Sequence, residues 1–342
     1  MKNSTTLLSA FSTAAVLSLA ACGGGGDSGS SNSGSNANSN TGNNTQPAPQ
    51  APTSVAPNTT SPASTYPAAD LRLTAYNDLN AYRIAMGVGA LSQEATLDKA
   101  ADNHLLYLKA NSTFGHMETA GLPGFTGANP YDQAVAAGAS KAQWIGQVAD
   151  GTSVDCIGGF KNTVYHLQAI TSNQETIGIA IHDNYCVINF GVVTGANGGG
   201  YGLAQWGGQQ MPTNSFAYSP IDNERVVGAF TATGESPSPA PDLPSAGHPV
   251  MFRVPVPNAS DVLTVSSFTL TAPGGASVPS RILVPTNAKS GSVNTALEDA
   301  SIYRGVVFLL PTQPLTAGTY TATFAGARNG TAISKSWSFT AF

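Results

Sequence analysis

The sequence predicts an α+β region followed by an all-β sandwich. Three observations predict it. Helical periodicity runs from Asp70 to about Ile170, alternating strand patterns from Thr176 to Val193, and after about Gly200 short β-type runs recur between Pro and Gly.

The first helix is expected from Asp70 to Met86, with Leu71, Leu73, Leu79, Tyr82 and Ile84 among small and polar residues and Gly87 as the stop. Ser92 is expected to cap a second helix, on which Leu97, Ala101, His104, Leu105 and Leu108 share one stripe. His104 lies on that stripe and reads as a hydrogen-bonded core histidine. A third helical pattern covers 160–170, with Phe160, Val164, Leu167 and Ala169, and two short strands follow in 176–193. Beyond Gly200, strands are expected in 250–256, 262–270, 282–284, 306–310, 319–324 and 337–342, the last two alternating apolar with Thr or Ser, as for sheets with one buried face. Residues 196–248 mix glycine and proline and read as linker or edge strands.

Composition narrows the function. The 342 residues are 41% hydrophobic and only 10% charged, with 14 Lys plus Arg against 19 Asp plus Glu. No basic patch could engage a phosphate backbone, so nucleic acid is excluded as a partner. Residues 1–21 carry Lys2 and an apolar stretch too short for a membrane span, and read as a signal peptide. Leu19-Ala20-Ala21-Cys22 looks like the lipobox of bacterial lipoproteins, which implies a diacylglycerol on Cys22 and a membrane partner through that anchor. Gly23 rather than Asp after the cysteine points to the outer membrane or the cell surface. Residues 22–66 are rich in Gly, Ser, Asn and Pro and read as a disordered tether, whose coil of about 43 residues reaches roughly 35 Å. Cys156 and Cys186 then remain as an even pair in an oxidising compartment and are expected to form a disulfide. Closing a loop of about 30 residues would stabilise the fold by roughly 3 kcal/mol.

Four segments in order carry a resemblance: Asn80-Ala81-Tyr82-Arg83 with Gly87; Phe114-Gly115-His116; Pro130-Tyr131-Asp132-Gln133 with Ala137-Gly138; and Tyr165-His166 ahead of Ile177-Gly178-Ile179-Ala180. Together they resemble the CAP superfamily and its SCP-like extracellular proteins, over 67–197. The resemblance implies an αβα sandwich with a central cavity lined by two histidines, which map onto His116 and His166, and sterol or lipid binding as a recurring activity. Where the family has G-E-N, this chain has Gly146-Gln147-Val148, and the arginine after the second histidine is replaced by Leu167. A neutral amide thus replaces the cavity carboxylate. Residues 198–342 form a linker and a β-sandwich whose end, Pro314 to Thr321 followed by Trp337-Ser338-Phe339, looks like the last hairpin of bacterial immunoglobulin-like domains.

The candidate cleft is therefore His116, His166, Gln147 and Glu118, the acidic residue nearest in sequence. Two neutral imidazoles and one carboxylate can satisfy zinc with an open fourth position, so His116 and His166 are the metal candidates, although Gln147 is a poor ligand and no cofactor is required. His182 and His248 read as surface residues. Ser112 is a nucleophile candidate by proximity to His116 alone, and neither G-x-S-x-G nor H-E-x-x-H occurs. The chain reads as a non-enzymatic, lipid-anchored protein of the cell envelope whose cleft binds a lipid or small molecule. The alternatives are a surface protein-interaction or adhesion protein with a vestigial cleft, and a metal-dependent hydrolase.

Overall fold

A computed structural model describes residues 53–150, 155–202 and 206–342. The signal peptide, Cys22 and the tether up to residue 52 lie outside the described residues. Helix α1 (Leu71–Met86) starts where the Asp70 carboxylate accepts the Arg72 N–H at 2.9 Å and stops at Gly87, whose φ of 75° suits glycine. Ser92 does not cap the next helix. Its N–H donates to Glu175 O, drawing Ser92 and Gln93 into a short strand β1 (Ser92–Gln93), and helix α2 (Ala95–Asn111) begins only after Glu94. Helix α3 (Pro130–Ala137) follows, with Pro at its first turn and Asn129 as cap. Next come strand β2 (Trp144–Asp150) and helices α4 (Cys156–Lys161) and α5 (Tyr165–Ile170). The single helix expected over 160–170 is thus two, because a fresh set of helix-start N–H groups at 164–166 is satisfied by the Glu235 carboxylate.

Strands β3 (Thr176–His182), β4 (Tyr185–Val192) and β5 (Gly200–Tyr201) complete a sheet of order β1-β3-β4-β2-β5. Alternation divides its side chains between two helical layers. Ile177, Ile179, Ile188 and Phe190 pack with α1, α4 and α5, while Ala180 and Val187 pack on α2. At Gly178 a Cβ would lie 2.0 Å from the Leu97 carbonyl carbon, so only glycine lets α2 approach this closely. The Cys156–Cys186 disulfide forms, joining α4 to β4.

The Asn80 and Arg83 positions of the first segment are structural. Asn80 clamps the Leu91 backbone, donating to its carbonyl and accepting its N–H. Arg83 is fully buried and donates to Gly89 O, Ile170 O and Gln174 Oε1, tying α1 to the end of α5.

Composition placed 53–66 in the tether, yet these residues lie against the folded body. Val55 bridges to 208–210, Asn58 accepts from Ala90 N–H, and Tyr76 donates to Pro62 O. The extended, proline-rich chain finds its backbone partners on the body rather than in itself.

The β-rich region contains β6 (Ala217–Ser219), β7 (Arg225–Val226), β8 (Ala229–Phe230), β9 (Ala246–Gly247), β10 (Val250–Arg253), β11 (Leu263–Thr271), β12 (Ser280–Val284), β13 (Leu297–Glu298), β14 (Val306–Pro311), β15 (Gly318–Arg328) and β16 (Thr331–Ala341). They form sheets of order β13-β12-β14-β10-β6 and β11-β15-β16-β7, and β8 pairs with β9. Val250, Phe252, Val307 and Leu309 face the second sheet, with Phe268, Phe324 and Trp337 opposite. Met251, Leu283, Val306, Phe308 and Leu310 point the other way, into a core shared with Tyr82, Met86, Val164 and Leu167 of the α/β region. Residues 217–247 are therefore short strands within the body rather than a free linker.

His248, expected at the surface, is buried in this junction. Its Nδ1 lies 2.8 Å from Asn162 Oδ1 and its ring leans on Phe339. The chain after β9 turns inward here, a feature no local pattern announces. Burial, with the Lys161 charge nearby, pushes the imidazole down to about 3 from its ordinary value near 6.5. The folded state thus holds His248 neutral while the unfolded chain protonates, so its stabilising contribution is complete above pH 6.5 and is lost as pH falls toward 3. Urea unfolding between pH 6.5 and 4 should show stability falling with pH, with up to about 1.4 kcal/mol per pH unit of the slope removed in His248→Gln.

Candidate functional site

One pocket of about 200 Å³ gathers His116, Gln147, Val148, Tyr165, His166, Tyr201, Glu235 and Tyr303, among others. Strand β2 supplies Gln147, α5 supplies Tyr165 and His166, the segment after α2 supplies His116, and the β-rich region supplies Glu235 and Tyr303. The structure thus brings His116, Gln147 and His166 to one cavity. Glu118 does not line it. Its buried carboxylate accepts from the Thr126 and Gly127 N–H groups and pairs with His104 Nδ1 at 2.9 Å. Burial raises the Glu118 carboxyl, but those hydrogen bonds outweigh it and hold it below the usual range. His104 is buried with both ring nitrogens engaged, the second on Gly115 O, so it fixes the loop that carries His116.

The carboxylate in the cavity is Glu235, which the sequence reading passed over within a presumed linker. It is 4% exposed and accepts the N–H groups of Val164, Tyr165 and His166 at 2.8, 2.8 and 3.0 Å. Its Oε1 also lies 3.1 Å from His166 Nδ1. A signal existed: Glu235 is the one charged residue between Arg225 and Asp242, amid small residues and prolines.

Three backbone carbonyls set the polarity of the amide network. Gln133 Nε2 donates to His116 O and Gly127 O, and Asn189 Nδ2 donates to Leu97 O, so both amide oxygens face Gln147. Gln147 Nε2 donates to them, at 3.3 and 3.0 Å, which leaves its Oε1 for His116 Nδ1 at 2.9 Å. The β2–β4 register sets Gln147 opposite Asn189. His116 is therefore the Nδ1–H tautomer when neutral. Burial holds its imidazole below the ordinary value despite the Gln147 bond, and the nearby rings of His166 and His104 act in the same direction as burial. His166 shares the tautomer. Thr163 Oγ1 donates to Phe160 O and is left as an acceptor, and Glu235 only accepts, so Nδ1 of His166 donates.

Among the described residues, no group of three or more His, Cys, Asp or Glu is placed to hold a metal ion. The donor set does not suit one: Gln147 offers a neutral amide, Glu118 faces His104, and Glu235 is taken up by three N–H groups. Ser112 is exposed at the end of α2, outside the pocket lining. His182 is at the surface, paired with Asp102 at 2.5 Å. No helix among the described residues is long and apolar enough to cross a membrane.

Residues 76–198 match the model of CAP, the cysteine-rich secretory protein family. No curated protein matches the chain. Among solved structures, the chain is similar to an extracellular protein containing an SCP domain from Bacillus anthracis, at 18% identity and TM-score 0.31, covering 34% of this chain and 39% of that one. It thus spans well under half of that protein's length. It is also similar to an outer surface protein of Borrelia burgdorferi, at 19% identity and TM-score 0.30, over 35% of this chain and 90% of that one. A copper resistance protein from Escherichia coli matches at 17% identity and TM-score 0.23, over 38% and 99% of the two chains.

Removing the Glu235 carboxylate strands three helix-start N–H groups and takes one of two acceptors from the His166 imidazole N–H. Glu235→Ala should lower stability by about 3 kcal/mol in urea unfolding, and Glu235→Gln, which keeps one acceptor oxygen, by less than half of that.

Proposed function

We propose that the protein is a lipid-anchored, non-enzymatic binding module of the cell envelope, whose cavity between the CAP-matching region and the β-rich region takes a small or lipid-like ligand. The single observation that carries this reading is the cavity itself: two imidazole Nε2 atoms and the hydroxyls of Tyr201 and Tyr303 have no partner among the described residues, in a pocket where the Gln147 amide and the Glu235 carboxylate already have theirs. Such unspent hydrogen-bonding capacity is what a binding site keeps for a ligand. Ser112, the nucleophile a hydrolytic reading starts from, lies outside the pocket. The lipobox-like Cys22 and the match of residues 76–198 to a secretory protein family support the envelope address. In this reading the two C-terminal sheets are immunoglobulin-like, and connecting segments of their region, at Glu235 and Tyr303, form a wall of the site.

Mass spectrometry of the protein extracted gently from its native membrane tests this. The account expects an N-terminal peptide beginning at diacylated Cys22 and a co-purifying small molecule that is depleted in Tyr303→Ala. An unmodified Cys22 and an empty cavity would refute it.

A further inference from the structure

The hydrogen-bond polarity of the cavity goes further, on the premise that it is a ligand site. We infer that the ligand is an uncharged polyhydroxylated compound, a saccharide ring, one of whose hydroxyls donates to the Nε2 atom of His116.

His116 is the Nδ1–H tautomer, fixed by Gln147 Oε1, and burial disfavours its charged form, so its ring turns a lone pair, not a proton, toward the pocket. A ligand meeting it must donate. Tyr201 and Tyr303 supply the opposite need. Burial raises both phenols, so their hydroxyls stay protonated and can donate as well as accept. An ammonium ion could satisfy the His116 imidazole but offers nothing to the phenols as an acceptor, whereas a hydroxyl group serves both. Anions fit worse. The fixed charge in the lining is the Glu235 carboxylate, which would repel a phosphate or carboxylate ligand. A long acyl chain or fused-ring lipid fits no better, because about 200 Å³ is below the roughly 300 Å³ at which drug-sized pockets begin, and imidazole, amide and phenol groups interrupt the apolar lining. That volume suits one ring with its substituents. Three tyrosines, Tyr165, Tyr201 and Tyr303, line the pocket, and aromatic rings are the surfaces against which the C–H face of a sugar packs.

Gln147 is then a positioning residue. A carboxylate there would also accept from His116 Nδ1 but would favour the imidazolium, which has no lone pair at Nε2 to offer. The departure from G-E-N that weakens a metal site is the change that makes His116 an acceptor.

Isothermal calorimetry on the full protein at pH 8 tests this with glucose, N-acetylglucosamine and maltotriose, their per-O-methylated counterparts, and phosphatidylglycerol vesicles. At least one free saccharide should bind, with affinity falling tenfold or more on per-O-methylation, which keeps the ring and its oxygens but removes every O–H donor. His116→Phe should cause a similar loss at unchanged secondary structure. Tyr303→Phe, lacking a single oxygen, should weaken binding severalfold and guards against misfolding of the histidine variant. Equal binding of the methylated sugars would overturn the inference. Binding of vesicles without any saccharide would overturn it too while sparing the ligand-binding reading, and binding of no probe by a protein that also emerges empty from its native membrane would overturn both.

Discussion

One sheet, β13-β12-β14-β10-β6, is buried on both faces along its central strands β14 and β10, and the rest of the molecule is arranged around it. Along β14, Val307 and Leu309 enter the core between the two C-terminal sheets, while Val306, Phe308 and Leu310 enter the core shared with α1 and α5. Each of the larger side chains contributes about 1.5–3 kcal/mol by leaving water. Neither face can be exposed without uncovering an apolar surface, so the β-rich region packs on the α/β region as well as on itself. Directional contacts fix the alignment: Tyr82 donates to Ser219 Oγ at 2.6 Å, Tyr165 to Asp299 Oδ2 at 2.7 Å, and Gln168 clamps the backbone at Ser301 and Tyr303.

That junction builds the site. Tyr303 lines the cavity because Gln168 on α5 holds its backbone, and Glu235 reaches 164–166 because β8 and β9 bring the intervening chain back over α4 and α5. Asn162, between these helices, donates to Ala229 O and meets His248. The helix that carries His166 therefore begins where it does because of a residue about seventy positions later. His116 is positioned differently, from within the α/β region, through Gln147 on one side and the loop fixed by His104 and Glu118 on the other.

What could be read from the sequence follows from the range of the interactions. Local signals were sound. Asp70 and Gly87 bound α1, the stripe of Leu97, Leu105 and Leu108 marks the buried face of α2, and the Cys156–Cys186 pair forms. The ordered CAP-like segments put His116, Gln147 and His166 near one another. Features that depend on distant partners were not readable from local pattern: Ser92 joining a sheet edge, the break between α4 and α5, the burial of His248, and Glu118 turning to His104. The shared core did leave a trace. Val306-Val307-Phe308-Leu309-Leu310 is a continuous apolar run, unlike the alternating β15 and β16, and continuity is the mark of a strand covered on both faces. Glu235 as a lone charge in a stretch of small residues and prolines was a similar trace, informative only once something was known to lie opposite.

Differential scanning calorimetry of the intact, disulfide-bonded protein tests the shared core most directly. A β-rich region that shares its core with the α/β region must unfold with it, giving one transition in which the calorimetric and van't Hoff enthalpies agree. Two resolved transitions, one assignable to each region, would contradict the account.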